Sequence, residues 1–180
     1  MTIDDLLALP EDDAWRYELV EGVLVRMAGS RPKAVRVSTR LFLRLGNFVE
    51  EHELGAITGA DAVYDFEQTG QPNTGLLPDI GFYPGSMEAR VQDDKPYPFA
   101  PSLAVEVASP LQTKRDMAAK VARYLRGGTQ LVWVIYPHTL QIDVWHQRDE
   151  VPTITLQHGD TLDGEDVVPG FRIPVTPLFD

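Results

Sequence analysis

Hydrophobic and polar positions recur along this chain with two periods, and each change of period marks a new element. Thr2 to Leu9 reads as a short helix, with Thr2 as N-cap, Asp4 and Asp5 at its positive end and Pro10 as its stop. Arg16 to Met27 (RYELV-EG-VLVRM) places Tyr17, Leu19, Val23 and Val25 at period two around Glu21-Gly22, which predicts a hairpin. Over 33–53 the spacing of Val37, Leu41, Leu45, Phe48 and Val49 predicts a helix ended by Gly55. Short strands are expected at 56–58, 62–66 and 79–83. Gln68 to Gly75 should be a loop, and the proline-rich stretch 84–101 a long surface loop.

Leu103 to Ala108 is an apolar run interrupted by one acid, the pattern of a buried central strand. A helix over 113–126 follows, opened by the capping pair Thr113 and Asp116 and closed by Gly127-Gly128. Leu131 to Tyr136 is a second buried strand. The strand–helix–strand order predicts a parallel, right-handed crossover. Residues 141–146 and 153–157 read as outer antiparallel strands, and the tail from Gly170 as extended. The sum is a single α/β or α+β domain over 1–180, with a mixed central sheet flanked by helices.

Composition narrows the chemistry. The 180 residues are 43% hydrophobic, enough for a real core. The absence of cysteine excludes disulfides, thiolate zinc sites and a cysteine nucleophile, and fits a reducing cytoplasm. The N-terminus has no basic signal region, and no apolar run approaches the roughly 20 residues that span a bilayer. A soluble cytoplasmic protein is expected.

The net charge of −11 argues at first against a polyanionic partner, but the distribution is uneven. Gly22 to Val49 contains no acid and six bases: Arg26, Arg31, Lys33, Arg36, Arg40 and Arg44. Lys114 to Arg126 carries five bases (Lys114, Arg115, Lys120, Arg123, Arg126) against Asp116 alone. Arg36, Arg40 and Arg44 fall at i, i+4 and i+8 on one helix face. With Lys33 and Lys114 they are the candidate nucleic-acid contacts, although each segment read alone is equally well a solvated helix face.

Three residues carry the candidate chemistry. Asp79 follows Pro78, which can open a strand but not occupy its middle, so its carboxylate lies at a strand start, if not simply in a Pro-Asp turn. Glu106 is flanked by Val105 and Val107, and a glutamate in a covered strand needs a cation, a base or a proton unless it reaches water at an edge. Lys120 lies one turn after Asp116, where an ordinary surface pair is the simple reading. Its helix, however, follows the Glu106 strand after a short connection, at the strand end where functional groups gather in α/β sheets. Together the three could hold Mg²⁺ (or Mn²⁺), polarise a phosphoryl group and orient a water. The four histidines show no zinc spacing.

The ordered series RYELVEGVLVRM, LLPDIGFY, LAVEVASP, DMAAKVARYLRGG, LVWVIYP and LDGEDVVPGFRIPV resembles the Uma-type restriction endonucleases, a bacterial family within the PD-(D/E)xK superfamily. The resemblance spans nearly the whole chain. It implies a restriction-endonuclease-like fold, a metal-dependent nuclease centre acting on DNA, and a homodimer. Asp79 matches the PD acid and Glu106 the acid of the (D/E)xK strand. The motif's lysine position falls on Ala108, and Lys120, in a D-x-x-x-K spacing with Asp116, is the candidate replacement. Glu18 matches an acidic position that assists the metal; Glu21 more simply serves the turn.

One departure stands out. Members often carry a histidine before the long basic helix, and Ser30 to Val35 (SRPKAV) has none, which leaves room for a specialised or impaired centre. Two other functions therefore stay open: a non-catalytic nucleic-acid-binding module, and a regulatory dimer. The dimer gains if the two basic segments lie on opposite faces.

Overall fold

The computed structural model describes residues 1–9, 16–27, 29 and 31–180; the Pro10 stop and Ser30 fall outside them. Helix α1 (Ile3–Leu7) is opened by Thr2, whose side chain accepts from Asp5 N–H while Asp5 reaches back. Strands β1 (Arg16–Val20) and β2 (Val23–Met27) form the expected hairpin. Glu21 and Gly22 both have positive φ, 50° and 77°, the mirror-image turn that suits hairpin twist.

Helix α2 (Pro32–Glu51) buries Ala34, Val37, Leu41, Leu45 and Val49. It ends before Gly55, and the left-handed residue beyond it is Glu53, φ 51°. Gly55 instead opens β3 (Gly55–Thr58), where a Cβ would lie 2.1 Å from the Tyr83 carbonyl oxygen. The glycine therefore serves close strand approach, not the helix stop.

Strands β4 (Tyr64–Asp65), β5 (Gly75–Leu76), β6 (Ile80–Pro84) and β7 (Leu103–Val107) follow. The β5 strand lies at the end of the segment read as loop, because its two residues pair with both β1 and β4. The stretch 84–101 is also less superficial than its prolines suggest. Tyr97 stacks on Tyr64 at 4.8 Å and buried Phe99 meets Tyr83 at 5.4 Å, so aromatic burial pins it down.

Helix α3 (Lys114–Arg126) has the expected Thr113/Asp116 capping box. Strands β8 (Leu131–Tyr136), β9 (Gln141–His146) and β10 (Ile154–Leu156) complete a six-stranded sheet of order β10-β9-β8-β7-β6-β3. Only β7 and β8 run parallel in it. The hairpin joins β5 and β4 in a second sheet of order β2-β1-β5-β4. The tail is more than extended chain: β11 (Thr161–Asp163) pairs with β12 (Arg172–Pro174), and α4 (Thr176–Phe179) follows. Its Phe171, Val175 and Leu178 are buried in the α2 core, which is what orders it.

Alternation along β7 decides where the chemistry faces. Leu103, Val105 and Val107 join the α2 core with Trp133 and Ile135. Ala104 and Ala108 join Met117, Val121 and Tyr124 of α3 on the other face. Glu106, between the alanines at period two, therefore points at α3. None of the described helices is long and apolar enough to cross a membrane.

The capping box fixes where α3 begins and so which residues face the sheet. Thr113→Ala should cost roughly 1 kcal/mol of stability, read as a lower urea midpoint. An unchanged midpoint would show that packing alone sets the helix start.

Candidate active site

Each site residue is placed by a local constraint. β6 and β7 pair through Ile80 and Val105. Just beyond, Asp79 Oδ2 accepts the Val107 N–H at 2.7 Å and ties the ends of the two strands together. Glu106 reaches from β7 toward α3, and Lys120 Nζ lies 2.8 Å from its Oε1. The same ammonium is 2.9 Å from Glu18 Oε1 on β1, which also accepts the Leu77 N–H at 2.9 Å. Tyr124 completes the cluster by donating its hydroxyl to Glu106 Oε1 at 2.7 Å. Glu18, Glu106 and Lys120 are 5%, 3% and 8% exposed, while Tyr124 is fully covered.

The cluster holds three carboxylates, Asp79, Glu18 and Glu106, against the one ammonium of Lys120. That imbalance appears in the proton affinities. Glu106 is pushed up to about 8, first by burial and then by Asp79 and Glu18, with Lys120 pulling the other way. Asp79 is raised by burial, against the Val107 N–H, Lys120 and Arg16. Burial disfavours the Lys120 charge, but Glu106 and Glu18 more than reverse this and hold its proton firmly. Tyr124 is raised well above its ordinary range by burial and by Glu106, so it remains a donor. Lys120 is thus a fixed positive charge, and Glu106 is the group that carries the surplus proton near neutrality.

The structure brings together Asp79, Glu18, Glu106 and Lys120 as a unit. Asp116 does not pair with Lys120; its carboxylate is held by the Thr113 backbone and hydroxyl at 2.9 and 2.7 Å. Ala108 is buried on the α3 face and leaves that side of the sheet to the helix lysine. Tyr124 escaped the sequence reading, although it lies at i+4 from Lys120 on the same helix face. Glu18's second partner, the Leu77 N–H, had no sequence signal, since the contact spans 59 positions.

The basic residues are divided. Helices α2 and α3 pack on opposite faces of the main sheet, so Arg36, Arg40 and Arg44 do not share a face with the α3 bases. Arg40 donates to the Leu178 and Asp180 carbonyls. Lys33 is on the first turn of α2. Lys114 lies 3.5 Å from the buried Asp143 carboxylate and 5.0 Å from the Tyr136 ring centroid. Other arginines stand nearer the acids: Arg16 and Arg123 line a cleft of about 300 Å³ with Asp79, Glu106 and Lys120 at its base.

The donor set suits a hard divalent cation. Among the described residues no three His, Cys, Asp or Glu groups converge tightly enough to hold a metal alone. Mg²⁺ does not need that; it takes one or two carboxylates and keeps several waters. Asp79 and Glu106, at adjoining strand ends, are the carboxylates that could supply this, and the surplus negative charge is what such an ion would offset. Glu18 and Glu106 each commit Oε1 within the protein, Glu18 to Lys120 and the Leu77 N–H, Glu106 to Lys120 and the Tyr124 hydroxyl, so each has only its other oxygen to offer such an ion.

The family model "Uma2: Putative restriction endonuclease" matches residues 3–176. Among solved structures, the chain is similar to a "putative nuclease belonging to DUF820" from Anabaena variabilis ATCC 29413. The TM-score is 0.81 at 18% identity, over 99% of this chain and 97% of that one. That likeness establishes a nuclease-like α+β fold with a mixed sheet flanked by helices. No curated protein matches the chain.

The raised Glu106 affinity has a pH signature. The ordinary value is 4.5, so between about 4.5 and 8 the folded state holds a proton that the unfolded chain releases. This contribution is full below 4.5 and is lost as pH rises through about 8. Relative to Glu106→Gln, the native protein should therefore lose stability from about pH 5 to about pH 8.5 in urea titrations. Parallel curves for the two proteins would refute the assignment.

Proposed function

The chain belongs to the Uma2 family, and on that premise we propose that it is an endonuclease that hydrolyses DNA phosphodiester bonds with a divalent cation at Asp79 and Glu106. The supporting observation is the convergence of buried Glu106 and Lys120, 2.8 Å apart, beside Asp79 at the base of an open cleft. Mg²⁺, or Mn²⁺ in its place, would be held by Asp79 and Glu106 with Glu18 assisting, and would supply Lewis acidity and a more acidic bound water.

The chain's own groups do the rest. Asp79 is held in place by the Val107 N–H and Glu106 by the Tyr124 hydroxyl, so neither must reorganise on binding. Lys120 keeps its proton and acts as a donor to the charge that develops on the phosphate, not as the base. Of the basic residues, Lys114 on α3 would contact an outlying phosphate of DNA in the cleft, whereas Lys33, Arg36, Arg40 and Arg44 on α2, across the sheet, would serve only a nucleic acid that passes over that other face; such contacts fix position but not sequence. The expected assembly is a homodimer.

A second reading, a regulatory dimer without cleavage, is favoured by one observation. The basic segments of α2 and α3 lie on opposite faces of the sheet, not on one surface.

The test is plasmid nicking with Mg²⁺, alongside calorimetric titration of the ion. Glu106→Gln, close in shape to the native residue, should lose both nicking and cation binding. Lys120→Met should keep the cation and cut at least about a hundredfold more slowly. Full nicking by Glu106→Gln would end the nuclease assignment to this site.

A further inference from the structure

The cleft differs from a plain phosphate-binding groove in three respects. Its reacting groups are recessed, with Glu106 only 3% and Lys120 8% exposed. A duplex, whose major groove alone is about 12 Å wide, meets such a recess only with the outermost atoms of its backbone. A cleft of about 300 Å³ is at the small end of ligand pockets, the scale of one bound unit.

Its walls are also aliphatic beside the ionic floor. The hairpin face that carries Glu18 presents Val20 and, opposite Glu18 in register, Val25. Leu111, 81% exposed, lines the same cleft. Aliphatic surface gains nothing from a chain of phosphates, but it does from the face of an unstacked base or a sugar. Finally, the buried Ser109 hydroxyl, which has no partner among the described residues, borders the same cleft. A polar edge is what such a group lacks.

We propose that this cleft admits one unpaired nucleotide, its phosphate at Asp79, Glu106 and Lys120 and its base and sugar against Val25 and Leu111, so that the substrate is a single-stranded or locally opened nucleic acid. Arg16 and Arg123 line the same cleft, and the guanidinium donors they do not give to the Ala60 and Ala119 carbonyls would meet the neighbouring phosphates. The inference rests on the nuclease reading for its reaction, but not for its binding preference.

The test is fluorescence anisotropy on the full chain with Ca²⁺ in place of Mg²⁺. The probes are one 20-nucleotide sequence as single-stranded DNA, as single-stranded RNA and as blunt duplex DNA. At least one single strand should bind about tenfold tighter than the duplex, and the better of the two identifies the sugar. The double variant Val25→Ser/Leu111→Ser, at exposed positions that leave the core intact, should erase that preference. Duplex binding as tight as either strand, no binding of any probe, or an unchanged preference in the double variant would overturn the proposal. Strand-selective binding here with no nicking in the Mg²⁺ assay would sink the nuclease reading alone. Cleavage with equal binding of strand and duplex would sink only this one.

Discussion

Everything at the site depends on the burial of one ammonium. Lys120 comes from α3, Glu106 from the main sheet and Glu18 from the hairpin sheet, and the two contacts at 2.8 and 2.9 Å join all three layers. A buried pair of this kind gains little net stability over a well-packed apolar alternative, yet removing one partner leaves an uncompensated charge at a cost of about 3–5 kcal/mol. The interaction therefore acts as a constraint more than as a source of stability: the hairpin must sit where Glu18 meets Lys120. The Leu77 N–H on the same Glu18 oxygen then fixes the segment leading to Asp79.

The remaining charge sets the chemistry. One ammonium cannot neutralise three carboxylates, and burial raises the cost of each unpaired charge. Without a cation the surplus is relieved by a proton on Glu106. The same imbalance is what the proposed cation would offset, and metal and proton would then compete for one group. Of the other bases, Arg16 and Arg123 line the same cleft, while those of α2 lie across the sheet from it.

Much of this was legible in the sequence where local chemistry decides structure. The capping pair Thr113 and Asp116 gave the start of α3, and the runs around Glu106 and Trp133 gave β7 and β8, since such signals lie within a few residues of each other. The convergence of Asp79, Glu106 and Lys120 followed from strand and helix order. What stayed hidden depends on distant partners. The two-residue strand β5 exists only because β1 and β4 flank it, and the proline-rich stretch is held by Tyr64 and Tyr83 from other strands. The tail hairpin and α4 are ordered by the α2 core, and Tyr124 was concealed by looking like an ordinary core aromatic.

Ala108 and Lys120 show how two backbones can serve one side of a sheet. Residues 108 and 120 are far apart as text but address the same volume above the sheet, one from the strand and one from the helix that covers it. A charge can thus be delivered beside Glu106 from the helix as well as from the strand. A pattern keyed to spacing along the chain registers only the strand's delivery. Written as positions around Glu106 in space, it registers both.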